Sequence, residues 1–386
     1  MLYINVHTFT SYIYQILITT LILNCVMVKV GILIKKPESL FTNGCVQQAL
    51  FIHKMLNMID ECQCNFVTIE NNYEIYDELF PIKVFPLRDN ELKTYDIILM
   101  VSLTLSDNIN KDILQKIKSN NVKLVDILCG NLYILLQEEF VFGTHNIMKN
   151  YNNDYIDEVW VLEMYEYSQS YLDLVYNVPV KILPYVWDVD IIKSYIKNES
   201  IQLKNKSNNE KVNICIYEPN MSIHKNAFVP LLIAERFYKK YPNRLNKIYM
   251  FCKTKIDSNG YYENMSIFKD SKVEMYGRII MPYSLKLIQD NNDFKTIVLS
   301  YTMMNNLNFL HLELFYLGRQ IVHNCEPFDN GLFYDSFDVC KAVDLLEEAR
   351  ITNVDKKKCV DIICKYNPKN VEIQNKWNNE ILRLLK

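Results

Sequence analysis

At 386 residues, with 49% hydrophobic and 23% charged side chains, the chain is long enough for two domains of ordinary size and apolar enough to bury two cores. Its 42 basic and 45 acidic residues leave a formal charge of -3, which is no electrostatic footprint for a polyanion. Apart from Lys356-Lys357-Lys358 there is no basic run, so nucleic acid is not an expected partner. Its 8 glycines form neither a Walker loop nor a G-x-G-x-x-G fingerprint, which disfavours a P-loop ATPase or a dehydrogenase.

Residues 1–26 form an apolar extension. Its core, 9–26, is interrupted by Thr10, Ser11, Gln15, Thr19, Thr20 and Asn24, and it lacks the clean run of a membrane span or the basic start and small residues of a signal peptide. A packed or peripheral N-terminal helix is the expectation, with an anchor, or a start site at Met27, as alternatives. The expected location is the cytoplasm, with peripheral membrane association as the variant.

Val28 to Ile34 is a continuous apolar run of the kind a parallel sheet buries on both faces. Phe41-Thr42-Asn43-Gly44-Cys45 then leads into a helix through Val46, Leu50 and Met55, and Gly44 is placed to bring backbone N–H groups near a phosphate or sugar. Further alternation follows in the strand Phe66 to Glu70, the strand Tyr95 to Ser102, the helix Ile109 to Lys118 and the strand Val122 to Leu128. Cys129-Gly130-Asn131 comes directly after a strand, where loops carry function. With strands at Ile156 to Val161 and Pro179 to Trp187, residues 27–190 read as a first doubly wound domain.

Residues 191–211 contain the polar stretch Ser194 to Lys211 and read as a linker. Val212 to Tyr217 restarts the strand pattern, followed by Glu218-Pro219-Asn220-Met221-Ser222-Ile223-His224-Lys225-Asn226 and an amphipathic helix to Lys240. A strand at Ile248 to Cys252, one at Lys272 to Tyr276, a helix at Pro282 to Asp290 and an apolar run at Thr296 to Tyr301 extend the second domain over 212–365. In Asn308 to Glu326, Phe309, Leu312, Phe315 and Tyr316 recur at helical spacing, Gly318 closes the helix in a left-handed turn, and Gln320 to Val322 is a short buried strand. His311 and Glu313 on that helix, with His323 and Asn324 after the strand, are expected to face one crevice at the sheet edge. In residues 366–386, Ile373, Trp377, Ile381 and Leu384 recur at helical spacing.

The 11 cysteines are scattered. The close pairs Cys62/Cys64 and Cys359/Cys364 lack zinc-knuckle spacing, so buried thiols in a reducing compartment are expected and a metal is not. The bias toward Asn, Lys, Ile and Tyr points to an AT-rich genome, viral or otherwise.

The order from Lys272 to Glu326 resembles the donor half of GT-B glycosyltransferases, in which a Glu-bearing helix leads through Gly to a final strand. The wording Tyr217-Glu-Pro-Asn-Met-Ser-Ile-His-Lys-Asn226, His311-Leu-Glu-Leu-Phe-Tyr-Leu-Gly318 and Ile321-Val-His-Asn324 also resembles a little-studied, mostly bacterial GT-B-like family described as a domain of unknown function. The resemblance implies two Rossmann-like domains facing across a cleft and transfer of a sugar from a nucleotide sugar to a glycan, lipid or protein acceptor, without metal or other cofactor. A GT-B-like protein that binds nucleotide sugar or glycan without catalysis is the alternative.

Carried onto this sequence, the resemblance gives Glu313 the ribose and Lys225, a few residues into the helix, the diphosphate. Glu218, Asn220, His224, Arg278, Tyr301, Asn305, His311, His323 and Asn324 are further donor-side candidates, with Lys253 as another cation. Asn43, Gly44 and Asn131 belong to the acceptor-side loops. Asp126, Glu138 and His145 are candidates for the general base an inverting enzyme needs, and the last helix is expected to cross back onto the first domain. The Gly-Arg pair that usually precedes the Lys is missing here.

Overall fold

The computed structural model describes residues 27–35, 44–70, 73–77, 80–101, 105, 107–143, 154–198, 210–251, 256, 260–277, 279, 281–290, 294–306, 308–326, 328 and 332–386. The segment 1–26, Asn43, His145, Lys253 and Arg278 lie outside them.

Eight strands form the first sheet: β1 (Val28–Leu33), β2 (Cys62–Thr68), β3 (Tyr73–Asp77), β4 (Phe80–Pro86), β5 (Ile97–Val101), β6 (Lys123–Leu128), β7 (Glu158–Leu162) and β8 (Val180–Leu183). Their order is β3-β4-β2-β1-β5-β6-β7-β8, parallel throughout except for the antiparallel β3–β4 edge. The second sheet is wholly parallel, in the order β11-β10-β9-β12-β13-β14. It comprises β9 (Val212–Ile216), β10 (Leu245–Met250), β11 (Val273–Met275), β12 (Lys295–Leu299), β13 (Gln320–His323) and β14 (Leu332–Phe333). Strands β5, β7 and β9 are buried at every residue, the consequence of helices covering both faces of a parallel sheet. The fold is therefore two doubly wound α/β domains.

Several elements differ from the expectations. Strands β3 and β4 form a hairpin where no strand is predicted, although Ile82 and Val84 turn inward while Lys83 points out. Asp190–Asn198, expected in the linker, is a helix with Ile191 and Ile192 buried. Two further helices, Val339–Ile351 and Lys356–Tyr366, complete the second domain.

The packing joins the two halves. One apolar cluster fills the first domain and continues across one face of the second sheet through Cys215, Tyr249, Phe251, Leu312 and Phe315. A separate cluster, including Ile214, Ile216, Phe237 and Leu346, fills the other face. The last helix, Val371–Leu384, belongs to the shared cluster. Trp377, fully buried, donates its indole N–H to the Pro184 carbonyl at 3.1 Å and meets Trp160 edge to face at 5.7 Å. Helix Val371–Leu384 thus lies against the first domain. No helix among the described residues is long and apolar enough to cross a membrane.

Candidate functional site

The candidate site lies where the carboxyl ends of the two sheets face each other, the position at which open α/β sheets take ligands. On the second domain, β9 delivers Tyr217 and Glu218 into the loop that precedes the helix Phe228–Lys240. Asn220, in the left-handed region at φ 54°, accepts the Ala227 N–H at 2.7 Å, and Asn226 accepts that of Phe228 at 3.1 Å. These two side chains satisfy donors that a helix start leaves open. Lys225 is therefore not inside the helix as expected. It sits in a tight turn ahead of it, bridged to Ser222.

Glu218 is buried behind this turn. Its carboxyl accepts the Tyr301 N–H at 3.0 Å and bonds Ser300. Burial pushes it up to about 7 against the pull of those hydrogen bonds and of Lys225. Lys225 is in turn held below the ordinary lysine value by burial, with the Glu218 carboxyl and the Cys45 thiol opposing the shift. Ser300 continues the chain to His311, whose Nε2 lies 3.2 Å from its hydroxyl. A buried carboxyl, hydroxyl and imidazole thus back the lysine.

Glu313 differs from all of these. It occupies the middle of the helix Phe309–Tyr316, which Asn308 caps by accepting the Leu310 N–H at 3.3 Å. Gly318 at φ 60° closes that helix, with the Arg319 N–H returning to the Leu314 carbonyl, a left-handed stop that glycine adopts without penalty. Glu313 is half-buried, and no described side chain hydrogen-bonds or pairs with it. Burial alone raises it to about 7. Phe309 on the same helix meets Tyr185 of the first domain at 5.8 Å, and Tyr185 and Tyr217 both feel the Glu313 charge, so the helix stands at the domain boundary.

The first domain brings Gly44, Cys45, Cys129, Tyr165 and Tyr185 to the same place. Gly44 opens the helix Gly44–Leu56, and a Cβ there would stand 3.1 Å from the Phe309 ring. Absence of a side chain at residue 44 lets the two domains approach. Asn131 caps the helix Leu132–Phe142 by accepting the Ile134 N–H at 3.1 Å and donates to the Met304 carbonyl at 2.6 Å, which also accepts the Tyr167 hydroxyl at 2.7 Å. Tyr165 donates to Asn305 at 3.0 Å. The loop 301–306 of the second domain is thereby docked on the first.

Several expectations are corrected. Asp126 points from β6 into the sheet's packed face, buried and hydrogen-bonded by the Tyr176 hydroxyl at 3.0 Å, so it does not reach the cleft. Burial raises it to about 6. Glu138 does reach the second domain, but there it accepts the Ser222 hydroxyl at 2.8 Å and the Ile223 N–H at 2.6 Å. It fastens the domains together. His311 and His323 do not face the crevice. Both are fully buried, packed with Phe315 and Phe328, and burial drives both imidazoles below their ordinary value.

The remaining donor-side candidates have structural partners. Asn324 clamps Thr302 through both its amide atoms, at 2.9 and 2.7 Å. Tyr301 is buried beside Phe337, and Asn305 is buried beneath Tyr165. His224 shares its Nδ1 with the Ser222 hydroxyl at 2.6 Å and accepts the Met303 N–H through its carbonyl. Tyr165, Tyr167, Ser222 and Ser300 were not anticipated. The short helical stretch Glu163–Ser168 carried a signal for the two tyrosines in its aromatic density. Among the described residues no three His, Cys, Asp or Glu side chains converge as metal ligands.

A family model, "Protein of unknown function (DUF2827)", matches residues 28–381. The chain belongs to this family. No curated protein matches it in sequence. Among solved structures, Anabaena Alr3699/HepE in complex with UDP and glucose is similar at a TM-score of 0.55 and 11% identity, over 92% of this chain and 99% of that one. A UDP-forming α,α-trehalose-phosphate synthase from Burkholderia xenovorans in complex with glucose-6-phosphate follows at 0.53 and 9%, over 93% and 100%. An E. coli structure described as trehalose-6-phosphate bound with UDP-2-fluoro glucose gives 0.52 and 10%, over 93% and 99%. The likeness spans nearly the whole of each chain and places this DUF2827 member in the GT-B fold.

Proposed function

We propose that this DUF2827 protein is a glycosyltransferase that moves a sugar from a nucleotide sugar to a glycan, lipid or protein acceptor without a metal. The observation that carries the reading is Glu313, a half-buried carboxyl without a described hydrogen-bond partner, on the helix whose Phe309 meets Tyr185 and Gly44 of the first domain. A group kept ready to accept hydrogen bonds in a half-desolvated crevice suits the hydroxyls of a ribose or sugar. Lys225 supplies positive charge for a departing nucleoside diphosphate, and its turn is rigidly backed by Glu218 and Ser222. Because structural neighbours were solved with UDP, UDP and UDP-glucose are the first ligands to try.

The test is thermal-shift or calorimetric titration with a panel of nucleoside diphosphates and nucleotide sugars. A ligand at about 100 times its dissociation constant adds roughly 2.7 kcal/mol. The reading predicts stabilisation by one nucleotide, lost in Lys225→Ala and in Glu313→Gln. A folded protein that none of them stabilises would sink it.

A second reading, binding without transfer, is favoured by the state of the base candidates. Asp126 is sealed in the sheet and Glu138 is occupied by Ser222 and Ile223. Nucleotide binding without release of nucleoside diphosphate from any sugar donor, with or without acceptors, would select it.

A further inference from the structure

A cavity of about 700 Å³ opens in the first domain between the helix Gly44–Leu56, the strands β2 and β4 and the segment Asp188–Ile191. Neither Lys225 nor Glu313 lines it. Its size falls within the roughly 300–1,000 Å³ of cavities that enclose small molecules, and among the described residues Leu50, Phe51, Phe66, Ile82, Phe85 and Ile191 make its walls predominantly apolar. We propose that this cavity is a binding site for a medium-chain fatty acid, with the chain along the apolar walls and the carboxylate at Lys83.

The polar groups of the walls select that chemistry. The Lys54 ammonium lies 2.9 Å from the buried Asp188 carboxylate and also contacts Asp190, and Asp188 accepts the Asp190 N–H at 2.8 Å. With two carboxylates on one ammonium, this corner does not attract a phosphate. Asn57 spends its side-chain amide on the backbone of Cys64, donating and accepting at 3.0 Å. The His53 ring is stacked on Phe66 at 4.2 Å, and burial lowers it to about 4, so it presents a neutral, flat surface. Side chains committed in this way leave few partners for the several hydroxyls of a sugar. A hydrocarbon chain asks for none and gains by leaving water.

Lys83 differs from the other polar groups. It is exposed, its ammonium stands 5.4 Å from the centre of the Phe85 ring, and no described side chain pairs with it. Phe85 is itself 39% exposed, so the two mark the rim of the cavity. An ammonium at a rim can meet a carboxylate that stays in water while the attached chain is buried. The inner end of the cavity is reached at Phe51, which is buried and whose ring meets Trp187 edge to face at 6.4 Å. That contact supplies a local reporter for the far end of the chain. No nucleotide is involved, so the proposal stands or falls separately from the transferase reading.

The experiment is calorimetric titration of the full-length protein with dodecanoate, kept below the concentration at which it aggregates. Saturable binding is expected, with dodecanol several-fold weaker. Lys83→Glu should weaken dodecanoate several-fold and leave dodecanol unchanged. Leu50→Trp, which fills the apolar interior, should abolish binding of both, and Phe85→Ser, at an exposed strand position, should weaken both and gives a second check should tryptophan disturb the fold. A dodecanoate brominated at its methyl end should quench the fluorescence of the wild type, and Trp187→Phe should lose that quenching. No saturable binding, or binding that survives both Leu50→Trp and Phe85→Ser, would overturn the site. Equal affinity for the acid and the alcohol would overturn the role of Lys83. Binding only of chains presented in phosphatidylcholine vesicles would overturn the free acid as the ligand.

Discussion

Glu313 and Lys225 are held by opposite means. The lysine is crowded by polar groups that are themselves fixed, whereas the carboxylate has packing around it and no described partner. Under the proposed function each makes its strongest hydrogen bonds only with ligand present. Replacing Lys225 by Ala should cost about 2 kcal/mol of diphosphate affinity, roughly 30-fold, since bonds to charged groups are worth about 1.5–3 kcal/mol. Glu313 adds a pH signature. Its carboxyl titrates at about 7 in the free protein, and the ionised form is the better acceptor for sugar hydroxyls. Nucleotide affinity should rise about tenfold as pH increases through this range, the difference between charged and neutral hydrogen bonds, and Glu313→Gln should be both weaker and flat. Calorimetry from pH 5.5 to 8.5 checks this, and a wild-type affinity indifferent to pH would remove Glu313 from the ligand.

At the scale of elements, a few small structures fasten the two domains beside the apolar cluster they share. The Glu138 carboxylate receives two donors from the turn Ser222–Lys225. Removing it in Glu138→Ala leaves both without that acceptor, about 1–3 kcal/mol where they stay buried. The expected outcome is faster amide exchange at Ile223 with the overall dimensions by X-ray scattering little changed, since the shared apolar cluster stays in place. The last helix is the stronger brace. Trp377 is fully enclosed and meets Trp160 and Pro184, so Trp377→Ala should lower stability by about 3–5 kcal/mol, read as a shifted urea midpoint. These elements were unequally legible. The periodicity of Val371 to Leu384 and the left-handed stop at Gly318 are local signals, and they were readable. The β3–β4 hairpin was hidden because Pro81 and Pro86 interrupt its alternation, and Asp190–Asn198 because its polar face masks two buried isoleucines. The site was legible by residue type but not by role. A sequence lists Glu138, Asp126 and Glu313 as equal carboxylates; only packing distinguishes a fastener, a sealed core acid and an open acceptor.

For the whole molecule, the same packing sets the dependence of stability on pH. Burial raises the carboxyls of Asp126 to about 6 and of Glu218 and the half-buried Glu313 to about 7. Three imidazoles are lowered by burial, His53 and His323 to about 4 and His311 in the same direction. A raised carboxyl keeps its proton in the folded state where the unfolded chain has lost it, so its effect is to make stability fall as pH rises from the ordinary carboxyl value toward 7. A lowered imidazole is neutral in the folded state where the unfolded chain is charged, so stability falls as pH drops below about 6.5. The two sets overlap between about pH 5 and 6.5 with opposite signs. There the folded protein holds protons on its carboxyls and the unfolded chain holds a similar number on its imidazoles, so urea-melt stability should be nearly flat. Glu313→Gln breaks no described hydrogen bond, and it removes one native-state proton. Its stability should therefore climb with pH across this window at about 1.4 kcal/mol per unit, the linkage value for one proton. His323→Gln removes a proton from the unfolded side and should slope the other way, read relative to its own lower baseline. Parallel lines for wild type and Glu313→Gln would mean that this carboxyl is already ionised in the folded protein at pH 5.5, which would contradict the burial that keeps it protonated between the domains.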